Sequence, residues 1–262
     1  RLFREQDSRY IRYLKYDRDG TPFLCAVNKD ISKQLRRALW EQRIPVILTS
    51  GTLKAGNDFH PVMEKTGLDS LSNVQTYSAP SPFDYKRNCL LYFPESSKGK
   101  PHGSDSEGKR IAKEILQLVH ATCGHTLVLF TSYSLMGAVY SLVKDQMPVP
   151  LMEVWRNSQD TIRRFKREQN AVLFAAGSCW EGIDFPGDIV SSLIIPRLPF
   201  PVPDSIREAQ QANYMTLQDY INAVIVPEMQ VKLRQGFGRA IRTETDTCVV
   251  SILDHRAALG GK

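Results

Sequence analysis

A repeated alternation between short apolar runs and amphipathic segments constrains the fold of this chain most strongly. The runs are rich in Val, Ile and Leu and occupy residues 46–49, 90–93, 126–130, 171–175, 190–195 and 248–253. Buried parallel strands have this pattern. Helical candidates lie between the runs, at residues 31–42, 107–121, 135–143, 161–168 and 227–241. The alternation predicts an α/β fold in which a parallel sheet carries helices on both faces.

The composition is that of a folded globular protein with a basic surface. The chain has 262 residues, of which 42% are hydrophobic and 24% are charged, and its formal net charge is +6 with a pI near 9.0. This excess of positive charge favours a polyanionic partner. A basic surface that binds nothing explains the same excess equally well.

The cysteines and the apolar segments bear on where the protein works. The five cysteines are scattered, without a C-x-x-C pair or a Cys/His cluster, and are Cys25, Cys89, Cys123, Cys179 and Cys248. This spacing predicts reduced thiols in an intracellular, cytoplasmic protein. No stretch approaches the roughly 18 apolar residues of a membrane span, and the first residues do not form a signal peptide. We therefore predict no membrane partner.

Small polar residues follow three of the apolar runs, where a parallel sheet binds its ligands. The first loop contains Ser50, Gly51 and Thr52, and the second begins with Thr131 and Ser132. The third loop covers residues 177–184 and includes a serine, Ser178. Helix capping explains the hydroxyl residues of any one of these loops when that loop is considered alone. Three such loops on one edge favour contacts with a sugar-phosphate backbone.

Two acidic residues in the third loop require a different explanation, because anions do not bind phosphate. Glu181 and Asp184 flank a turn at Gly182. They are candidates to contact a nucleotide ribose, to orient an arginine through its rigid fork of donors, or only to stabilise the turn. The sequence alone leaves these three roles open.

A basic segment near the carboxyl end, residues 235–242, carries Gln235, Arg239 and Arg242 at helical spacing. Side chains at this spacing project from one face of a helix, so we predict a ridge that binds an anion. A solvated, salt-bridged face is the alternative. Gly236 and Gly238 count against that alternative, because each costs about 1 kcal/mol relative to alanine inside a helix. We expect them to allow a close approach by the ligand.

The chain lacks other motifs that nucleotide hydrolysis requires. It has no G-x-x-x-x-G-K-[ST] phosphate loop and no Asp-Glu pair that ends a strand and could hold magnesium. No Ser/His/Asp or Cys/His arrangement is legible either. We therefore expect the chain, by itself, neither to bind nor to hydrolyse a nucleoside triphosphate.

Taken in order, several of these segments resemble motifs of the DinG/XPD branch of superfamily 2 DNA helicases. They are Ile-Leu-Thr-Ser-Gly-Thr-Leu at 47–53, Ser-Pro-Phe-Asp-Tyr at 81–85, Leu-Phe-Thr-Ser-Tyr at 129–133, Trp-Glu-Gly-Ile-Asp-Phe-Pro-Gly at 180–187, Arg-Leu-Pro-Phe-Pro at 197–201, and Gln-Gly-Phe-Gly-Arg-Ala-Ile-Arg at 235–242. The resemblance implies a RecA-like fold of the P-loop NTPase type. It implies that residues 1–70 end the first motor domain and that residues 71–262 form the second.

The resemblance also implies roles for individual residues. Arg239 and Arg242 would be arginine fingers, with Gln235, Glu181, Gly182 and Asp184 on the nucleotide side. The DNA contacts would come from Thr131, Ser132 and Ser178. Ser50, Gly51 and Thr52 would couple the state of the bound nucleotide to the strength of DNA binding. ATP and Mg²⁺ would be held mainly by the missing first domain, in which many relatives also carry an iron-sulfur cluster.

These implications predict the carboxyl-terminal motor domain of an ATP-dependent helicase. Its partners would be single-stranded DNA, on which the family moves 5′ to 3′, and the first RecA-like domain of the same protein. The alternative is a stand-alone, non-catalytic module that binds nucleic acid or regulates another protein. The absence of a phosphate loop motivates that alternative.

Overall fold

The structure, a computed structural model, describes residues 9–17, 19–42, 44–54, 58–95, 105–155, 159–181, 185, 189–241 and 243–257. The chain divides into two units, each with its own dense internal packing. Unit 1 contains residues 1–78 and 200–231, and unit 2 contains residues 79–199 and 232–262. Among the described helices, none has the length and apolar character needed to cross a membrane. The two units are described separately below.

Unit 2 is built on a six-stranded parallel sheet with the strand order β3-β8-β7-β4-β6-β5. The strands are β3 (Cys89–Tyr92), β4 (Thr126–Phe130), β5 (Leu151–Val154), β6 (Val172–Ala176), β7 (Ser192–Ile195) and β8 (Cys248–Ile252). The central strands β4, β6 and β7 are buried along their whole length. This burial on both faces explains why their sequences are continuous apolar runs.

Helices cover both faces of this sheet, as the sequence predicts. On one face, α4 (Asp105–Thr122) and α5 (Tyr133–Val143) form a core with alternate residues of β4 and β6, including Val128 and Phe130. The opposite face presents Leu129, which α9 (Val226–Phe237) approaches at Gly236. Two further α-helices are described in unit 2, α3 (Tyr85–Asn88) and α6 (Gln159–Arg167).

Five of the six predicted strands are present, and one prediction is wrong. Residues 46–49 form no strand; they are exposed, with Ile47 89% accessible. No described strand of unit 1 pairs with this apolar run, and a strand needs a ladder partner for its backbone groups. Strand β5 was not predicted from sequence, and its four residues include the charged Glu153. A run this short and interrupted by charge gives little strand signal.

Unit 1 contains an antiparallel hairpin and several short helices. The hairpin joins β1 (Tyr10–Tyr16) to β2 (Pro22–Asn28). Neither strand was predicted, because neither lies in a continuous run of Val, Ile and Leu. The helices are α1 (Ser32–Ala38), α2 (His60–Thr66), α7 (Ser205–Gln211) and α8 (Leu217–Tyr220), and a π-helical segment (Ile221–Ile225) leads into α9. Gly67 ends α2 with φ 76°, and a Cβ there would lie 2.7 Å from the Ser32 carbonyl oxygen. Only glycine fits this close approach.

Candidate nucleotide and DNA site at the sheet edge

The loops after β4 and β6 lie side by side at the carboxyl edge of the sheet. The two strands pair in parallel register, with Phe130 opposite Ala176. Thr131 and Ser132 follow β4, and Ser178 follows β6 in a short 3-10 helix (Gly177–Trp180). The hydroxyls predicted to contact DNA therefore share one edge, and Ser178 is exposed there.

The Ser132 hydroxyl also has a structural role. Ser132 is the N-cap of α5, and its Oγ accepts a hydrogen bond from the Leu135 N–H at 3.2 Å. The capping explanation considered for such residues is thus correct for this one. A hydroxyl that accepts a hydrogen bond in this way still carries a hydrogen to donate. Capping and phosphate contact are compatible at Ser132.

Trp180 connects the edge loops to α9. Its side chain is fully buried, and its Nε1–H donates a 2.8 Å hydrogen bond to the Phe130 carbonyl at the end of β4. The Lys232 ammonium of α9 lies 5.9 Å from the centre of its ring, within cation–π range. One indole thus links the end of β4, the loop after β6 and the last helix.

The expectation that Gly236 makes room for a ligand is wrong, because the Trp180 ring occupies that room. A Cβ at Gly236 would lie 2.7 Å from Trp180 Cζ3 and 3.5 Å from a methyl of Leu129. No side chain fits there without displacing the indole. At Gly238 a Cβ would meet the backbone carbonyl oxygens of Gln235, at 3.4 Å, and Arg234, at 3.6 Å. The two glycines therefore differ: the Trp180 ring fills the space beside Gly236, whereas the close approach of a ligand at Gly238 stays a prediction.

The predicted helical ridge is shorter than the sequence pattern indicates. Helix α9 ends at Phe237, and tighter i to i−3 hydrogen bonds follow at Arg239 and Ala240. Gln235 lies half-buried on the last turn of α9, whereas Arg239 lies beyond the end of the helix. Arg242, the third member of the ridge, lies outside the described residues. The two helix-breaking glycines near this point account for the early end.

Arg239 is held against the loop that follows β6. Its Nη2–H donates to the Trp180 carbonyl at 3.3 Å. A carbonyl accepts the hydrogen bonds that a guanidinium donates, so this bond orients the Arg239 side chain. Burial raises the pKa of the neighbouring Cys179 thiol, and the Ala176 backbone and the charge of Arg239 partly oppose that rise. The structure thus places Arg239, predicted as a catalytic residue, beside the third loop.

Only one of the predicted nucleotide-side residues in the third loop is described. Glu181 is exposed, and its N–H donates to the Ser178 carbonyl at 3.0 Å, which closes the 3-10 turn. Gly182 and Asp184 lie outside the described residues. Glu181 therefore directly follows Trp180, the residue whose carbonyl accepts the hydrogen bond from Arg239.

The residues predicted to couple nucleotide state to DNA grip belong to unit 1. Ser50, Gly51 and Thr52 form a turn in which Ser50 and Gly51 are exposed and Thr52 is half-buried. The Ser50 Oγ accepts a hydrogen bond from the Thr52 N–H at 3.1 Å and lies 3.2 Å from its hydroxyl oxygen. This local pattern is an ST-turn, which fixes the two hydroxyls relative to each other.

An ion pair at the end of β8 holds the ends of two strands together. Asp254, 1% exposed, accepts the Leu198 N–H at 2.9 Å and two guanidinium hydrogen bonds from Arg256, at 2.9 and 2.6 Å. Burial alone raises the pKa of this carboxyl, but the hydrogen bonds and charge of Arg256 and the Leu198 N–H outweigh burial and lower the pKa to about 2. The loop after β7 is thus fixed to the end of β8.

Replacing Asp254 by Asn is expected to lower the free energy of unfolding at pH 7 by about 2 kcal/mol, the value of a pKa lowered by nearly two units. The carboxylate stabilises the fold at pH values above its unfolded pKa of 3.8, and this contribution is lost as the pH falls towards 2. Urea unfolding of both proteins between pH 7 and pH 2.5 measures the difference. A difference in unfolding free energy between the two proteins that stays constant from pH 7 to pH 2.5 would contradict the lowered pKa of Asp254.

Two tryptophans at this edge were not recognised from sequence as structural or functional centres. Trp180 appears in the sequence only as the first letter of a motif, and Trp155 follows β5, a strand that was not predicted. Trp155 directly follows β5, and Trp180 lies four residues after the end of β6, so both stand near strand ends. Among the described residues, no group of three or more His, Cys, Asp or Glu side chains could hold a metal ion.

The parallel sheet, the helices on its two faces and the loops at its carboxyl edge define a RecA-like domain. Residues 115–259, more than half of the chain, match the family described as the helicase C-terminal domain. The chain belongs to this family.

Curated relatives extend the similarity beyond that segment. The chain is 30% identical over 246 residues to the ATP-dependent DNA helicase YoaA of Haemophilus influenzae, which covers 91% of this chain and 36% of the relative. It is 30% identical over 220 residues to the ATP-dependent helicase DinG of Mycobacterium tuberculosis, with 82% and 33% covered. The 3'-5' exonuclease DinG of Bacillus subtilis is 28% identical over 225 residues, with 82% and 24% covered. The chain spans about a third or less of the length of these relatives.

Solved structures show the same fold. An XPD helicase structure superposes with a TM-score of 0.70 at 23% identity and covers 95% of this chain and 45% of that one. A second, of XPD without ligand, gives a TM-score of 0.66 at 23% identity and covers 95% of this chain and 50% of that one. The resemblance to the DinG/XPD branch, drawn from ordered motifs, is confirmed.

Proposed function

We propose that this chain is the carboxyl-terminal motor domain of an ATP-dependent DNA helicase that translocates on single-stranded DNA. The observation that carries the proposal is the position of Arg239. It follows the last helix of a RecA-like sheet and is oriented by a backbone carbonyl of the loop at the carboxyl edge. A guanidinium in that position suits the stabilisation of charge on a phosphate that is being transferred.

The polar residues of unit 2 fit one side of a nucleoside triphosphate. Arg239 supplies a planar fork of donors that matches phosphate oxygens, and Gln235 supplies an amide on the adjoining helical turn. We assign Arg242 to the same task from the motif it ends. ATP would bring the scissile phosphate and its Mg²⁺, both held mainly by the first RecA-like domain of a longer protein.

The third loop is proposed to link the nucleotide to the DNA. Glu181 and Asp184 carry carboxylates suited to a ribose or to holding an arginine, and Gly182 lies between them. Ser178, at the other end of the 3-10 turn, shares the edge with Thr131 and Ser132. Hydroxyls contact phosphates without reading base sequence, which suits a motor that steps along any strand.

The remaining assignments concern unit 1 and the longer protein. Ser50, Gly51 and Thr52 are proposed to couple nucleotide state to DNA grip, within a segment, residues 1–70, that ends the first RecA-like domain. Residues 71–262 would be the second domain. Movement would be 5′ to 3′ on the family pattern, and an iron-sulfur cluster would belong to the part of the protein that precedes this chain. We propose that the protein acts in the compartment that contains its DNA.

The isolated chain is expected to show negligible ATP hydrolysis and weak, salt-sensitive binding of single-stranded DNA. Only one side of the nucleotide cleft and part of the DNA track are proposed to lie here, and contacts with phosphates weaken steeply as salt rises. A phosphate-release assay and fluorescence anisotropy with an oligonucleotide at low and high salt measure both properties. Sustained hydrolysis by the pure chain would overturn the proposal.

The alternative, a stand-alone nucleic-acid-binding or regulatory module, is not favoured by membership of a helicase domain family. The upstream coding sequence separates the two. A G-x-x-x-x-G-K-[ST] motif in the same reading frame supports the motor, and a start codon immediately before Arg1 supports the module.

A further inference from the structure

A rigidly held aromatic pair, of which one ring is exposed, lies at the same edge as the hydroxyl loops. The rings of Tyr133 and Trp155 stack with centroids 5.4 Å apart and planes 16° from parallel. Trp155 is nevertheless 45% exposed. Single exposed aromatic residues are common on protein surfaces and do not by themselves indicate a binding site. The case for a binding site therefore depends on the position of this pair and on the contacts that hold each ring.

Each ring is fixed by its surroundings. The Tyr133 hydroxyl is 3.5 Å from the Ala176 carbonyl oxygen, to which it donates, and a Cβ at Gly177 would lie only 2.9 Å from that hydroxyl. Gly177 has φ +65°, a conformation that also favours glycine. The Trp155 ring lies over Gly137, where a Cβ would be 3.8 Å from Trp155 Cη2. The pair is therefore preorganised, and a ligand that stacks on it loses little side-chain entropy.

The sheet topology places this pair next to the proposed DNA contacts. Strand β6 lies between β4 and β5, and Val154, the last residue of β5, pairs with Ala175. Trp155 therefore projects from the same edge as Ser178, and Tyr133 directly follows Thr131 and Ser132. The ends of β4 and β5 are two strand spacings, roughly 10 Å, apart. A strand whose phosphates contact the hydroxyl loops would bring a base to the exposed indole.

We propose that Trp155, supported by Tyr133, is a stacking platform for a base of single-stranded DNA. The inference rests on the proposed function, because it assumes that a nucleic acid strand occupies this edge. Aromatic side chains bind bases without regard to sequence, since every base has a π-face. The hydroxyls would hold the backbone, and the platform would hold one base of the same strand.

The test compares an oligothymidylate with an abasic oligonucleotide of equal length, which carries the same phosphates but no bases. Fluorescence anisotropy at low salt measures the affinity of the 262-residue chain and its variants for each. Trp155→Leu is expected to weaken thymidylate binding about 5- to 100-fold, the range for loss of one stacked base. Its affinity for the abasic strand should equal that of the wild type, and Trp155→Phe should keep most of the thymidylate affinity. The matched control is Tyr92→Leu, which removes a 41% exposed aromatic at the end of β3, the opposite edge strand.

Tryptophan emission gives a second readout that a purely structural role would not change. Thymidylate should quench the emission of the wild type, and Trp155→Phe should abolish the quenching while binding persists. Equal thymidylate affinity in wild type and Trp155→Leu would overturn the stacking proposal but not the proposed function. A loss of affinity in Trp155→Leu that is equal for both oligonucleotides would have the same consequence. Quenching of Trp155 by ATP in place of thymidylate would assign the platform to adenine and also overturn it. A wild-type chain that binds neither oligonucleotide would contradict the proposed function itself.

Discussion

Replacing Arg239 by Ala in the longer motor protein is expected to reduce DNA-stimulated ATP turnover by about 10³-fold or more, the range for an arginine finger. The guanidinium is oriented by the Trp180 carbonyl and is proposed to stabilise charge that develops on the γ-phosphate. Affinity for single-stranded DNA should stay within about twofold, because Arg239 is not among the hydroxyl contacts. Steady-state phosphate release at saturating ATP and DNA measures the loss.

Two further variants make this result specific. Arg239→Lys keeps the charge but not the planar fork, so most of the activity should remain lost. Arg163→Ala removes an arginine from α6 whose side chain is 68% exposed, and it should leave turnover unchanged. Arg242→Ala is expected to behave like Arg239→Ala. Unchanged turnover in Arg239→Ala, or a parallel loss of DNA affinity, would remove Arg239 from the catalytic role.

Replacing Trp180 by Ala is expected to destabilise the chain by about 3–5 kcal/mol, the usual cost of truncating a buried tryptophan. The substitution leaves a cavity between Gly236 and Leu129 and removes the hydrogen bond to the Phe130 carbonyl. Small domains have unfolding free energies of only about 5–15 kcal/mol, so this loss is a large share of the total. Urea unfolding followed by circular dichroism measures it.

A second substitution approaches the same contact from the other side. Gly236→Ala would ordinarily stabilise a helix by about 1 kcal/mol. Here its Cβ meets Trp180 Cζ3 at 2.7 Å, so we expect a net destabilisation of about 1–3 kcal/mol. Trp155→Phe, which alters an exposed indole, is the control and should change stability by less than about 1 kcal/mol. If Gly236→Ala stabilises the chain, the packing described for Trp180 is wrong.

The central sheet could be predicted because its strands are buried on both faces. Burial makes β4, β6 and β7 continuous apolar runs, and helical spacing marks α4 before β4 and α5 after it. The run at residues 46–49 has a similar apolar composition but lies exposed, and none of the described strands pairs with it. Composition reports how well a segment suits a strand; whether a neighbour pairs with it is a property of the fold. β5 escaped detection for the opposite reason, since Glu153 interrupts a short edge strand.

The site could be predicted at the level of motifs and not at the level of contacts. Strand ends indicated the hydroxyl loops, and the motif from Gln235 to Arg242 indicated Arg239; the roles assigned to these residues stay predictions. The helical pattern did not reveal that α9 ends at Phe237. The two glycines that flank Phe237 have low helix propensity. Nor did the helical pattern reveal that Gly236 faces Trp180, because residues 56 positions apart in the chain meet only through the packing of α9 on the sheet.

The central claim is that this chain supplies arginines to an ATP site that another domain completes. Binding of DNA is proposed to stimulate ATP hydrolysis at that site. The most direct test measures ATP hydrolysis by the longer protein and by the isolated chain, each with and without single-stranded DNA. We predict turnover by the longer protein that rises with DNA, and none by the isolated chain under either condition. Turnover by the longer protein that DNA leaves unchanged, or equal turnover by the isolated chain, would contradict the claim.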